Sequence, residues 1–250
     1  MSYPGPHGWV VRARSGAGQG AGHNGRMPSV ATKIRTRLLR AAFPGLYRAD
    51  VRRDDLVRIG SDYGGWWVPG DLLGPDSICY LGGVGTDITF DVGLIERYGC
   101  HVWGIDPTPK SVDWVAGQTL DERFTMVPVG FAGEPGTLRF YVPEDPGHVS
   151  HSIKNLQHTE AYFEARVVTL AGLMAELGHD RVDLLKLDIE GAEHDTIRAL
   201  LRDGLRPPVL CVEFDQPEPL AWGRESTREL RAAGYDLVKI DGFNLTFVQR

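Results

Sequence analysis

Arg181-Val182-Asp183-Leu184-Leu185-Lys186-Leu187-Asp188-Ile189-Glu190-Gly191-Ala192-Glu193 is the stretch on which the reading of this chain turns. An apolar run ends in acidic residues at 188, 190 and 193, and a helical pattern follows at once. A buried parallel strand that delivers carboxylates to the carboxyl edge of a sheet has this appearance, and open α/β sheets bind ligands outside that edge. Helix starts favour Asp and Glu in any case. The acids gain weight from a second strand-to-helix turn upstream.

That turn is Ser77-Ile78-Cys79-Tyr80-Leu81-Gly82-Gly83-Val84-Gly85-Thr86-Asp87-Ile88, followed by the strand Cys100-His101-Val102-Trp103-Gly104-Ile105 and then Asp106-Pro107-Thr108-Pro109. Glycines at such a turn let the backbone approach a nucleotide closely. An acidic residue about 20 positions on accepts hydrogen bonds from ribose hydroxyls, and Asp106 stands 21 after Gly85. This much describes any adenosine cofactor. Two departures narrow it. Ile88 stands where a dinucleotide fingerprint has its third glycine, and Asp87 sits at the helix start. A pyrophosphate needs that helix N-terminus free and positive. S-adenosylmethionine carries an ammonium and a sulfonium and no phosphate, so a carboxylate there suits it. The plainer role of Asp87 is that of a helix-capping acid. The balance favours S-adenosylmethionine over the alternative, an NAD(P)-binding oxidoreductase. A third reading is a non-catalytic cofactor-binding scaffold.

The blocks Tyr80-Leu81-Gly82-Gly83-Val84-Gly85-Thr86-Asp87-Ile88-Thr89-Phe90-Asp91, Gly104-Ile105-Asp106-Pro107-Thr108-Pro109 and Leu184 through Glu193 resemble the FkbM-type methyltransferases, as does Arg58-Ile59-Gly60-Ser61-Asp62-Tyr63-Gly64-Gly65-Trp66-Trp67-Val68-Pro69. The resemblance covers residues 54 to 250. It departs from the family at Tyr63-Gly64-Gly65-Trp66, where Asp-Gly-Gly-Tyr is the commoner form. It implies an S-adenosylmethionine-dependent methyltransferase of class I, Rossmann-like α/β fold: a mostly parallel seven-stranded sheet, a C-terminal antiparallel hairpin and helices on both faces. The expected reaction is O-methylation of a hydroxyl on a small metabolite, a sugar or a natural-product intermediate.

Composition agrees with a globular enzyme. The chain has 250 residues, of which 42% are apolar, enough for one domain with an extension. Its three cysteines, Cys79, Cys100 and Cys211, fall in or beside expected strands and read as buried reduced thiols, with a cytoplasmic protein as the default. No apolar run reaches the roughly 18 residues of a membrane span. Residues 1–53 carry ten Arg/Lys against Asp50 alone, a net +9, whereas the rest carries −15, giving the overall −6. An acidic main body argues against nucleic acid as a partner.

Residues 1–28 lack periodicity and read as a disordered tail. Residues 29–53 form a basic extension with an amphipathic helix from Val30 to Phe43, stopped by Pro44-Gly45 and suited to cover the cofactor cleft or to support a homodimer. The catalytic domain spans 54–250. Its expected strands are 77–81, 101–105, 124–129, an inserted 137–142, 182–187 and 209–214, closed by a hairpin of 235–240 and 244–248. Helices are expected at 88–98, 110–117, 169–178 with Thr169 as N-cap, 191–202 and 225–233.

For the cofactor, the candidates are Gly83 and Gly85 against the methionine portion, with Asp87 facing its cation. Asp106 is assigned to the ribose, Val129 and Gly130 to the adenine, and Asp188 to the methyl end. Arg58 is the candidate partner of the cofactor carboxylate. The candidate catalytic residues are Asp188 and, as base, His151, with His148 behind it; both histidines lie in a long loop of the kind that often carries function. His194 reads as an ordinary helical residue. Tyr63, Trp66 and Trp67 form an aromatic cluster suited to stacking on the acceptor, with inward core packing as the alternative for Trp67. Glu213 either faces substrate or cofactor directly or joins Asp188 in holding Mg²⁺.

Overall fold

The computed structural model describes residues 38–141, 162–215 and 218–250. In chain order its elements are strands β1 (Leu56–Ile59), β2 (Trp66–Pro69) and β3 (Ile78–Gly82), helix α1 (Thr89–Tyr98), β4 (His101–Ile105), α2 (Pro109–Ala116), β5 (Phe124–Val127), β6 (Gly130–Phe131) and β7 (Gly136–Tyr141). Then come β8 (Tyr162–Val168), α3 (Leu170–Leu177), β9 (Leu184–Leu187), α4 (Glu193–Arg202), β10 (Val209–Glu213), α5 (Pro219–Ala232), β11 (Tyr235–Asp241) and β12 (Asn244–Gln249).

Seven strands form the central sheet in the spatial order β11-β12-β10-β9-β3-β4-β5. Strands β10, β9, β3, β4 and β5 run parallel, and β12 is antiparallel to both of its neighbours. The chain leaves β3 toward β4 on one side and comes back at β9 on the other. The carboxyl ends of β3 and β9 are therefore the switch point at which such sheets bind ligands.

Alternation of side chains along the strands builds two apolar layers. Cys79, Leu81, Leu184 and Cys211 face Phe90, Leu94, Ile95 and Tyr98 of α1 together with Trp66 and Val68 of β2. Tyr80, Leu185, Leu187 and Val212 face Leu173 and Met174 of α3, Ile197 and Leu200 of α4, and Leu230 of α5. Helices thus cover both faces, as expected, and all three cysteines are buried and free. Among the described residues no helix is long and apolar enough to cross a membrane.

Several local readings hold for identifiable reasons. Helix α3 begins where Thr169 Oγ1 accepts the Gly172 N–H at 3.1 Å, and it ends at left-handed Gly178. The strand expected over 124–129 stops at Val127, because Pro128 has no N–H for a ladder. The chain then turns away into β6, which joins β8 and β7 in a separate three-stranded sheet. Strand β8 and the hairpin β1–β2 were not foreseen, and α5 starts six residues earlier than expected, at Pro219 rather than 225. The hairpin turn is tight: Gly60 has φ +92°, and a Cβ on Gly65 would lie 2.5 Å from the Ser61 carbonyl oxygen.

Of the basic extension, residues 38–42 are helical and Phe43–Leu46 follow as a 3₁₀ turn. Phe43 is wholly buried in the main core, against Tyr47 and Phe243 at ring separations of 4.7 and 5.0 Å. Asp50 then anchors the segment by accepting the Leu237 N–H at 2.9 Å. The chain from residue 38 is accordingly packed into the domain. Phe43→Ala is expected to lower unfolding free energy by about 3–5 kcal/mol, while Leu38→Ala, at a largely exposed position, changes it by no more than about 0.5 kcal/mol. Urea denaturation of the two variants checks the docking of this segment; equal, small effects would show that it is not docked.

Candidate active site

The glycine loop after β3 and the acidic turn after β9 meet at the switch point. Asp188 N–H donates to the Gly82 carbonyl at 3.2 Å, and Gly83 N–H donates to the Ile105 carbonyl at 2.9 Å. Gly83 has φ +80°, and a Cβ there would collide with the Asp188 carbonyl oxygen, so the close approach of the two segments requires glycine. Gly85 is also left-handed, φ +60°, but a Cβ on it would meet nothing within 4 Å. Around this junction lies a cavity of about 290 Å³. Its wall includes Tyr63, Trp66, Gly83, Gly85, Asp87, Asp106, Gly130, Asp188 and Glu213, so nine of the candidate residues gather at one place.

Lys186 forms the floor. It occupies an apolar strand position, is 6% exposed, and its Nζ donates to the carbonyls of Gly83 at 2.8 Å and Gly82 at 3.3 Å. Asp188 Oδ2 lies 3.1 Å from the same nitrogen, and the Trp66 ring centroid 5.8 Å from it. Burial alone would lower the lysine pKa, but Asp188 and Asp91 outweigh burial and hold it above its ordinary value. Burial would likewise raise the Asp188 carboxyl, but the Lys186 charge and a hydrogen bond with Glu213 hold it below the usual carboxylate range. The Glu213 carboxyl is pushed well up, first by burial and then by the charges of Asp188 and Asp215. The pair therefore keeps one proton on Glu213, which donates to ionised Asp188, as expected when two carboxyls cannot ionise side by side.

The remaining acids have separate tasks. Glu193 is buried and accepts the N–H groups of Ile189 at 2.8 Å and Gly191 at 2.9 Å. It clamps a turn in which Glu190 takes the left-handed φ of +56° and Gly191 a φ of +104°. A left-handed Glu is a strained conformer that persists only when its surroundings fix it. Of the three acids that opened the sequence reading, Glu193 is thus a structural clamp, while Asp188 and Glu190 line the cavity. Asp87 accepts from the Ser61 hydroxyl at 2.5 Å and from the Thr89 N–H and hydroxyl at 3.1 and 2.6 Å. It fastens the β1–β2 turn to the start of α1. The N-cap of α1 is Ile88, so Asp87 is neither N-cap nor first-turn acid; it reaches the Thr89 N–H from one residue further out, and it still borders the cavity.

Asp106 accepts the N–H groups of Val84 and Gly85, both at 3.0 Å, and of Thr108 at 2.8 Å. It shapes the glycine loop as well as facing the cavity. A carboxylate has about four lone-pair sites, so these three bonds leave capacity for a ligand hydroxyl.

Other candidates fall elsewhere. Arg58 donates to the Ser61 carbonyl at 2.8 Å and pairs with Asp62 at 3.4 Å, outside the cavity wall. Val129 is buried in the main core, because the turn at Pro128 leaves only Gly130 of that pair on the wall. Of the two tryptophans, Trp66 is the buried one and borders the cavity, whereas Trp67 is part-buried outside its wall, donating to Asp241 at 3.1 Å with Lys239 Nζ 3.9 Å from its ring centroid. His194 is buried, 2.8 Å from Ser226 Oγ, and plays no part in the cavity wall. His148 and His151 lie outside the described residues.

As for Mg²⁺ between Asp188 and Glu213, the Lys186 ammonium already holds the place of a cation beside Asp188. Among the described residues no group of three or more His, Cys, Asp or Glu is arranged to hold a metal.

Sequence reasoning gave no role to Lys186 or Asp91, although both carried a signal. Lys186 interrupts a run of leucines. Asp91 stands three, four and seven positions before Leu94, Ile95 and Tyr98, on the stripe of α1 that is buried.

A mostly parallel seven-stranded α/β sheet closed by an antiparallel C-terminal hairpin, with a glycine loop and an acid-lined cavity at its switch point, is the arrangement of the class I methyltransferase fold. Residues 83–237, more than half of the chain, match the methyltransferase FkbM domain, and the chain belongs to that family. No curated protein sequence matches it. Among solved structures, fibrillarin of Aeropyrum pernix, in complex with natively bound S-adenosyl-L-methionine, is 11% identical at a TM-score of 0.39, over 80% of this chain and 83% of that one. The Methanococcus jannaschii fibrillarin pre-rRNA processing protein is 12% identical at 0.40, over 98% and 91%. Likenesses of that size carry no argument about activity.

Asp91 makes the site measurable in the empty protein. Burial raises its carboxyl to about 6, against the lowering effect of the Lys186 charge and with a further raising effect from Asp87. A carboxyl raised on folding favours the native state below its unfolded value, and that contribution is lost as pH rises through the folded value. Asp91→Asn is therefore expected to match the parent below pH ~4 and to exceed it in stability at pH 7 by up to about 3 kcal/mol. Chemical denaturation across that range checks the sign; a variant less stable at pH 7 would contradict it.

Proposed function

We propose that this protein binds S-adenosylmethionine in the cavity between the glycine loop and Asp188 and methylates a hydroxyl group of a small metabolite, a sugar or a natural-product intermediate. The observation that carries the reading is the convergence of Gly83, Gly85, Asp106 and Asp188 on one cavity. The residues fit such a cofactor. Gly85 leaves the loop backbone open, Asp106 retains acceptor capacity for a ribose, and besides Glu213 six acidic side chains line the cavity against two bases, Arg40 and Lys186. That balance suits a cationic donor and opposes a polyphosphate or a nucleic acid. Asp87 already accepts the first free N–H of α1, the group a dinucleotide pyrophosphate would use. This favours S-adenosylmethionine over NAD(P).

Bound there, the cofactor supplies a methyl group on a positively charged sulfur. The chain's own task is to hold the acceptor in line and to take its proton. Tyr63 at the rim and Trp66 below it offer aromatic surface for the acceptor. Among the described residues we assign the hydroxyl proton to Asp188, which the Lys186 charge and the hydrogen bond with Glu213 keep ionised and so able to accept. His151 is the other candidate for that task.

Calorimetric titration separates this reading from its rival. S-adenosylhomocysteine is expected to bind and NAD⁺ to give no heat; the reverse result ends the proposal. Asp106→Ala should weaken S-adenosylhomocysteine by about 1–3 kcal/mol through stranded hydroxyls, and undiminished affinity would remove Asp106 from the ribose.

A further inference from the structure

We propose that Asp91 seats the α-ammonium group at the amino-acid end of the cofactor. The inference rests on the reading that the cavity holds S-adenosylmethionine, and goes beyond it by assigning a residue that the family match and the glycine loop leave without a task.

Asp91 lies in the first turn of α1, the helix that the glycine loop runs into, and it belongs to the cavity wall. It is 5% exposed, and its Oδ1 is buried without a hydrogen-bond partner. A buried carboxylate oxygen in that condition is costly and rare in folded proteins. The nearest positive charge inside the protein does not meet the need. An ammonium has three N–H donors, and those of Lys186 are matched by the Gly82 carbonyl, the Gly83 carbonyl and Asp188. Lys186 therefore acts on Asp91 through charge alone, and a ligand in the cavity is the donor this inference assigns to it.

The layout of the cavity says which part of the ligand. Asp106 marks the ribose position on the β4 side of the loop, so the far end of the cofactor points toward α1, Lys186 and Trp66. Two cationic groups occur on that part of the molecule. The sulfonium has no N–H and cannot satisfy an orphaned acceptor, whereas the α-ammonium brings three donors. Asp91 thus answers to the ammonium, and the acids after β9 are left to the sulfur and the acceptor.

The test compares S-adenosylhomocysteine with 5′-methylthioadenosine, which keeps the nucleoside and thioether but lacks the amino-acid end. Isothermal titration of the wild-type protein, Asp91→Asn and Asp91→Ser is expected to show S-adenosylhomocysteine weakened by about ten- to a hundredfold in both variants, the scale of one charge-assisted hydrogen bond, with 5′-methylthioadenosine unchanged. Wild-type affinity for S-adenosylhomocysteine in the variants overturns the assignment. An equal loss for both ligands also overturns it, since that reports a general distortion of the cavity. If the wild-type protein binds neither ligand, the cofactor reading itself falls, and this inference with it.

Discussion

The Lys186 ammonium, buried at the end of an apolar strand, is the interaction on which the rest of the site depends. Taking a charge out of water costs several kcal/mol even after relaxation, and that penalty is offset only where charges and acceptors are well placed. Here two carbonyls of the glycine loop and one carboxylate surround it. The arrangement ties the end of β3 to the end of β9 through side chain as well as through the ladder. It also fixes the ionisation of its neighbours. The Lys186 charge holds the Asp188 carboxyl down, while burial and then the Asp188 charge push the Glu213 carboxyl up. One buried cation thereby acts on the ionisation of the carboxyls at the carboxyl ends of β9 and β10.

The carboxylates around it show how one chemical group serves different ends according to what it accepts from. Glu193 takes two backbone N–H groups and becomes a clamp on the 189–191 turn. Asp87 takes two hydroxyls and a backbone N–H, so that it joins the β1–β2 hairpin to α1. Asp106 takes three backbone N–H groups and still borders the cavity. Asp91 alone among these has a buried oxygen with nothing to accept from. Structural acids are satisfied within the protein, and an unsatisfied one at the same cavity is more simply explained by a ligand than by packing.

The sheet was legible because its signals are local. Apolar runs ending in Asp188 and Glu213, glycines at 82–85 and the capping Thr169 each follow from neighbours a few residues away. The hairpin β1–β2 was missed because its meaning is tertiary: Trp66 and Val68 read as a strand only once α1 and the central sheet cover one side of them. Which of Trp66 and Trp67 turns inward was open for the same reason, since alternation gives the period of a strand but not which face is buried. Site residues were legible where backbone geometry announces them, as at Gly83, and less so where a side chain has several partners to choose from. Arg58 had a carboxylate partner at hand in Asp62 and a carbonyl at Ser61, and no feature of the sequence ranks those against a ligand.

The closure of the cavity follows from two peripheral pieces rather than from the sheet itself. On one side the β1–β2 turn brings Tyr63 and Gly64 to the rim, held there by Asp87, and a Cβ on Gly64 would stand 2.9 Å from that carboxylate. On the other side the docked segment around Phe43 brings Arg40 to the wall beside Asn244 of the terminal hairpin. Both pieces are pinned by contacts outside the cavity: Trp67 to Asp241 and Thr246 to the Trp67 carbonyl for the hairpin, Asp50 to Leu237 for the segment. The terminal hairpin therefore serves as the common support of both rims. Its antiparallel strands extend the sheet past β10, which gives the extra width needed to anchor two covers over one switch point. The charges that line the cavity thus come from the strand ends, from the start of α1 and from Arg40 of the docked segment, and the pieces leaning on the last hairpin border them.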